Sequence, residues 1–197
     1  MTLPVSRTAT SLTTTVKAQA VTLGTPLAIS WLTLGANTVL GGALNQFGVI
    51  PRTERGLWGI IYAPFLHGSY AHLAANSVSL LVLGWLVLAF AGRRRFWTVS
   101  IAAALCSGLC AWTLGAPGSV HIGASGVIFG YLGYLMLSGW FARRLMPILV
   151  SLGVTAMWGG AVFGVLPGQP GISWQSHLGG FIGGVLAARA LHSRGQR

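Results

Sequence analysis

Glu54 is the one acidic residue in a chain of 197. That scarcity removes whole classes of chemistry. Paired carboxylates are impossible, which excludes aspartic-type proteolysis and two-carboxylate glycoside hydrolysis. A pump built on a relay of buried acids is disfavoured for the same reason. A complete Ser-His-acid triad could draw only on Glu54, so any serine chemistry here is expected to use a dyad. No HExxH sequence occurs, so a zinc protease of that type is excluded as well. Cysteine is scarce: Cys106 and Cys110 lie four apart in one apolar run and read as small side chains on a helix face. Charge of either sign is rare, at 7% of residues against about 25% in soluble domains.

What is present is apolar, with 53% hydrophobic residues and a net charge of +11. The basic residues sit between long apolar runs rather than in one patch. This pattern speaks for membrane topology and against nucleic acid as a partner. Six stretches are long enough to span hydrocarbon: about 21–47, 71–91, 96–115, 123–142, 145–166 and 173–191. Between the first two lies a long loop, 48–70, whose "GLWGIIYAPFLHG" portion is apolar but too short to span. It is expected to lie in the interface or re-enter. The Ser- and Thr-rich residues 1–20 read as a disordered cytoplasmic tail, 21–191 as one membrane domain, and 192–197 as a second tail. In a six-span arrangement Arg7, Lys17, Arg93–Arg95, Arg143, Arg144, Arg189, Arg194 and Arg197 fall on one side. Only Arg52 and Arg55 fall on the other. Positive residues favour the cytoplasm, so both termini are expected inside and the long first loop outside.

Depth then follows from helix rise. Ser125 lies roughly 27 Å from Arg143, Asn76 roughly 25 Å from Arg93 and His177 roughly 18 Å from Arg189 at 1.5 Å per residue. His72 shares a face with Asn76 at the i, i+4 spacing. Four polar residues from three separated helices can therefore share one layer near the outer surface. Each has a plainer reading alone: a packing serine bonded to its own backbone, a helix-helix hydrogen bond, or axial histidine ligands of a membrane haem. The glycines give the layer a means of converging. His177, Gly180 and Gly184 fall on one face, "GGFIGG" holds two overlapping GxxxG pairs, and Gly126, Gly130 and Gly133 form a strip beside Ser125.

"GASG" around Ser125, "HLAAN" opening the second long run, and a glycine-flanked His177 in the last one resemble the rhomboid intramembrane serine proteases. The similarity runs from about Gly48 to Leu191 and includes "APFLHGSYAHLAAN" with its additional His67. The resemblance implies an all-α membrane protein, a six-transmembrane-helix rhomboid-type bundle with a long, partly interfacial first outer loop. It implies a Ser125 nucleophile and a His177 general base. Oxyanion donors would come from His72, Asn76 and the Ser125 N–H, with Gly123 keeping that backbone open. It further implies transmembrane protein substrates within membrane lipid, no cofactor and no metal. A rhomboid-like relative that binds transmembrane helices without cutting them is the alternative. The sequence departs from the family's usual pattern at Phe129, where tyrosine is common, a change that keeps a ring face for stacking on the histidine. The Pro/Gly-punctuated loop Pro167–Ser173 is expected to cap the site.

Overall fold

Gly92, at φ 82°, turns the chain between two 22-residue helices, one closing at Ala91 and the next opening at Arg93. Repetition of this arrangement, an apolar helix reversed by a short basic or glycine turn, produces an all-helical bundle. The computed structural model describes residues 6–193, with side chains from 14 to 192. In chain order the helices are α1 (Ser6–Val39), α2 (Glu54–Tyr62), α3 (Tyr70–Ala91), α4 (Arg93–Leu114), α5 (Ser125–Ala142), α6 (Leu145–Trp158) and α7 (Trp174–Ser193). Short 3₁₀ turns follow α1, α2 and α6. Among the described residues, four segments are long and apolar enough to cross a membrane: α3, α4, α5, and α6 with its 3₁₀ continuation to Val165.

The expected boundaries need one correction. Residues 6–20 are not a disordered tail but the first turns of α1. No proline or glycine interrupts them, so the helix continues into the apolar run, where Thr22 Oγ1 donates to Ala18 O at 2.7 Å. Residues 192 and 193 of the expected tail 192–197 close α7, while 1–5 and 194–197 lie outside the described residues. At its other end α1 stops at Val39, short of Phe47, because Gly41 and Gly42 take φ of 62° and 88° and break the helix.

Helix α7 is held between α4 and α5, and its glycines serve two neighbours at once. A Cβ on Gly180 or Gly184 would meet the carbonyls of Gly126 or Gly130 on α5. A Cβ on Gly179 would meet Cys106 O and the Cys110 side chain of α4, and one on Gly183 would meet Ala102 O. The overlapping GxxxG pairs therefore let α7 touch both partners backbone to backbone. The cysteines form part of the small-residue surface that receives it. Most of α5 is interior as a result, with 61% of its apolar window buried, against 11% for the segment beginning with α6. Helix α6 leans on α5 through its two buried positions, Ser151 and Val154. The Ser151 hydroxyl accepts from Gly139 N–H at 2.9 Å and donates to Leu135 O at 2.6 Å, entering the α5 ladder.

The long first loop is anchored to the α4 end of the bundle and to the segment before α5. Val49 pairs with His121 through two backbone bonds of 2.9 Å. Trp112 Nε1 donates to Thr53 O at 2.8 Å, and Arg52 Nη1 donates to Thr113 O at 2.9 Å. The guanidinium thus satisfies a carbonyl at the C-terminal end of α4, where positive charge is favoured. Arg52→Ala is expected to lower the thermal unfolding midpoint by several degrees, from a loss of about 1–2 kcal/mol. Arg55, which instead lies over the Phe47 ring at 5.1 Å, should tolerate alanine with a smaller change.

Candidate active site

The site is assembled by the close approach of α5 and α7. Ser125 is the first residue of α5, so its N–H and those of Gly126 and Val127 have no partner within the helix. The first such bond runs from Ile128 N to Ala124 O. This end of a helix favours negative charge. On α7, His177 precedes Gly180 by one turn, and Gly180 lies against Gly126 beside the serine. The same small-residue contact therefore brings Ser125 and His177 to one level. No hydrogen bond joins their side chains among the described residues.

His177 is 7% exposed and held on two sides. Its ring stacks on Phe129, centroids 4.0 Å apart and planes 12° from parallel. Its Nδ1 lies 3.0 Å from Gly164 O. A carbonyl can only accept, so Nδ1 carries the hydrogen, and the neutral ring keeps a lone pair on Nε2. Phe129 thus supplies the stacking face expected of it without a hydroxyl. Gly164 was not foreseen from the sequence. It must be glycine because a Cβ there would come within 2.8 Å of Phe129 Cζ and 3.3 Å of His177 Nδ1.

His72 and Asn76 converge on Gly123 from the first two turns of α3, whose start is capped by Ser69 Oγ accepting from His72 N–H at 3.1 Å. A Cβ on Gly123 would lie 2.9 Å from His72 Cε1 and 3.5 Å from Asn76 Nδ2. Gly123 also takes φ 114°, a backbone conformation disfavoured for other residues. Its N–H donates to Ala63 O at 2.8 Å, tying the segment before Ser125 to the first loop. All five residues expected from the sequence therefore gather at one end of the bundle.

His67 and His121 bind this end together. His67, 1% exposed, accepts at Nε2 from Asn76 Nδ2 at 3.0 Å and from Ala124 N–H at 3.4 Å. One amide hydrogen of Asn76 is thereby fixed and the other left for a ligand. His121 lies between Ser119 Oγ at 3.0 Å and Ser173 Oγ at 2.6 Å. Ser173 Oγ continues the chain to Ser176 Oγ at 2.8 Å, so the loop before Ser125 is linked to the start of α7. The sequence signal for His121 was only its position in "HIGASG".

Burial, aided by the nearby His72, pushes His67 down to about 4, and burial also lowers His121. A histidine held below its ordinary value favours the neutral folded state. The unfolded chain then binds more protons as pH falls below about 6.5, and stability declines from there toward pH 4. His67→Phe is expected to flatten part of that decline in thermal melts at pH 7 and pH 4.5. It should also slow any reaction that uses Asn76 by roughly tenfold, less than the 10²–10³ typical of deleting an oxyanion donor.

A model of the Rhomboid domain matches residues 54–194 of this chain. An uncharacterized protein of Mycobacterium tuberculosis is 42% identical over 179 residues, covering 86% of this chain and 74% of that protein. Rhomboid protease GluP of Bacillus subtilis is 32% identical over 144 residues, 70% of this chain and 27% of GluP. RHOMBOID-like protein 5 of Arabidopsis thaliana is 25% identical over 180 residues, 85% of this chain and 57% of its own.

Proposed function

Because this chain belongs to the rhomboid family, we propose that it is an intramembrane serine endopeptidase that hydrolyses peptide bonds in or near transmembrane segments of membrane-protein substrates. The observation that carries the proposal is the 3.0 Å contact of His177 Nδ1 with Gly164 O, from which the tautomer follows. With Nδ1–H given to Gly164 O and the ring clamped on Phe129, Nε2 is the basic nitrogen on a helix packed directly beside Ser125. In the proposed reaction the Ser125 hydroxyl attacks the scissile carbonyl as its proton passes to His177 Nε2. The imidazolium then returns a proton to the leaving amine, and water hydrolyses the acyl-enzyme by the same route in reverse. The developing oxyanion is received by the unpaired Ser125 N–H, the free N–H of Asn76 and the His72 ring, with Gly123 giving access. No carboxylate orients His177; the Gly164 carbonyl takes that part.

The proposed setting is a six-span bundle of α1, α3, α4, α5, α6 with its continuation, and α7. Both termini face the cytoplasm, and the Ser125 end faces outward, following the arginines. On that outer side α2 lies in the interface, Trp58 and Tyr62 exposed and Gly56 and Gly59 against the loop. The loop Pro167–Ser173 caps the site, and α6, the least buried of these spans, moves to admit substrate from the side. The test is cleavage of a single-span model substrate by reconstituted protein. Wild type should cut it, and Ser125→Ala should not; equal cutting by both would reject the assignment.

A further inference from the structure

The end of the bundle opposite Ser125 contains a cavity of about 730 Å³. It is walled by the end of α3, the start of α4, the α5–α6 turn and the end of α7. Its polar wall is made by Arg95, Arg143, Arg144, Tyr134, Ser138 and His192, whose Nδ1 donates to Ala188 O at 2.7 Å. Arg95 is half-buried in the first turn of α4 and lies beside the Tyr134 hydroxyl. Arg143 and Arg144 are held by the turn itself. Arg143 closes α5 in a left-handed conformation at φ 50°, its N–H donating to Gly139 O at 3.0 Å, and Arg144 opens α6.

Three guanidiniums around one cavity repel each other, and no acidic side chain lies near to neutralise them. The sole acid, Glu54, opens α2, which packs on the far end of α4. The rest of the wall is apolar and includes Phe90, Leu135, Met146 and Val150. A ligand that fits both parts carries an anionic oxygen cluster on a hydrocarbon stem. Guanidinium forks suit phosphate oxygens, and basic pockets between helices at the cytoplasmic boundary suit lipid headgroups. We propose that this cavity binds an anionic phospholipid, its phosphate among Arg95, Arg143 and Arg144 and an acyl chain along Leu135, Met146 and Val150. The apolar wall selects lipid over free phosphate. The lipid joins the ends of α4, α5 and α6, the last of which has few other protein contacts. The site is remote from Ser125, so it stands whether or not the chain is a protease.

The test is native mass spectrometry of the full chain released from neutral detergent, titrated with phosphatidylglycerol, with phosphatidylcholine of the same acyl chains, and with inorganic phosphate. Phosphatidylglycerol should be retained at least about tenfold better than phosphatidylcholine, and millimolar phosphate should not displace it. The Arg95→Gln, Arg143→Gln, Arg144→Gln triple variant should lose that preference. Arg95→Gln alone, which leaves Arg93 and Arg94 to keep the turn basic, should weaken it several-fold, and this variant is decisive if the triple one does not fold. Equal retention of the two lipids, an undiminished preference in Arg95→Gln, or displacement by phosphate would overturn the proposal.

Discussion

Replacing Gly180 with leucine is expected to unfold the α4–α5–α7 core, whereas Gly24→Leu should leave the fold intact. At Gly180 even a Cβ falls on the Gly126 carbonyl, and the next two nearest atoms are also Gly126 backbone. Backbone cannot rotate away as a side chain can, so the helices must separate. Separation releases the Gly184–Gly130 contact one turn below, and with it the Gly179 and Gly183 contacts to α4. Overpacking of cores usually costs about 1–3 kcal/mol, and a clash fixed on both sides by backbone belongs at or above that limit. Against a total stability of roughly 5–15 kcal/mol, such a loss is large. Gly24 sits on α1 with nothing within 4 Å of its Cβ position, so it provides the matched control. Thermal unfolding of the purified variants in detergent reads the difference directly.

The second large effect is kinetic. Ser125→Ala and His177→Ala are each expected to reduce cleavage by roughly 10⁴-fold or more, and the double variant should be little worse than either. The reason is that the proposed residues act as a unit. Without the nucleophile there is no proton for Nε2 to take; without Nε2 the hydroxyl stays protonated and weak. Single-turnover rates on one substrate, with melting midpoints shown to be unchanged, would separate this from loss of fold. Additive losses would mean that the two side chains serve different steps.

Much of this could be read from the sequence because the physics involved is local or periodic. Apolar runs of spanning length gave α3, α4, α5 and α7 within a few residues, since a glycine such as Gly92 or a basic pair such as Arg143–Arg144 ends such runs. The positions of Gly126, Gly130, Gly180 and Gly184 marked the contact between α5 and α7, since a missing Cβ is itself the signal for close approach. The residues that were missed act across distance. Nothing in the run Gly159–Val165 announces that the Gly164 carbonyl receives His177 Nδ1–H, because a backbone acceptor has no residue-type signature. His121 could not be assigned its link to Ser173, 52 positions away, by spacing alone. Residues 6–20 were misread for the opposite reason. Serine and threonine disfavour a helix only weakly, and with no proline or glycine among these residues the helix continues outward from the apolar run.

The central claim is that Ser125 is a nucleophile activated by His177, and covalent capture tests it without needing a substrate. Purified wild-type protein, treated with a fluorophosphonate probe and mapped by peptide mass spectrometry, should carry one adduct on Ser125. His177→Ala, folded by its melting curve, should carry almost none. A protein that takes up no probe, or carries it equally on serines such as Ser107 or Ser176, would contradict the account.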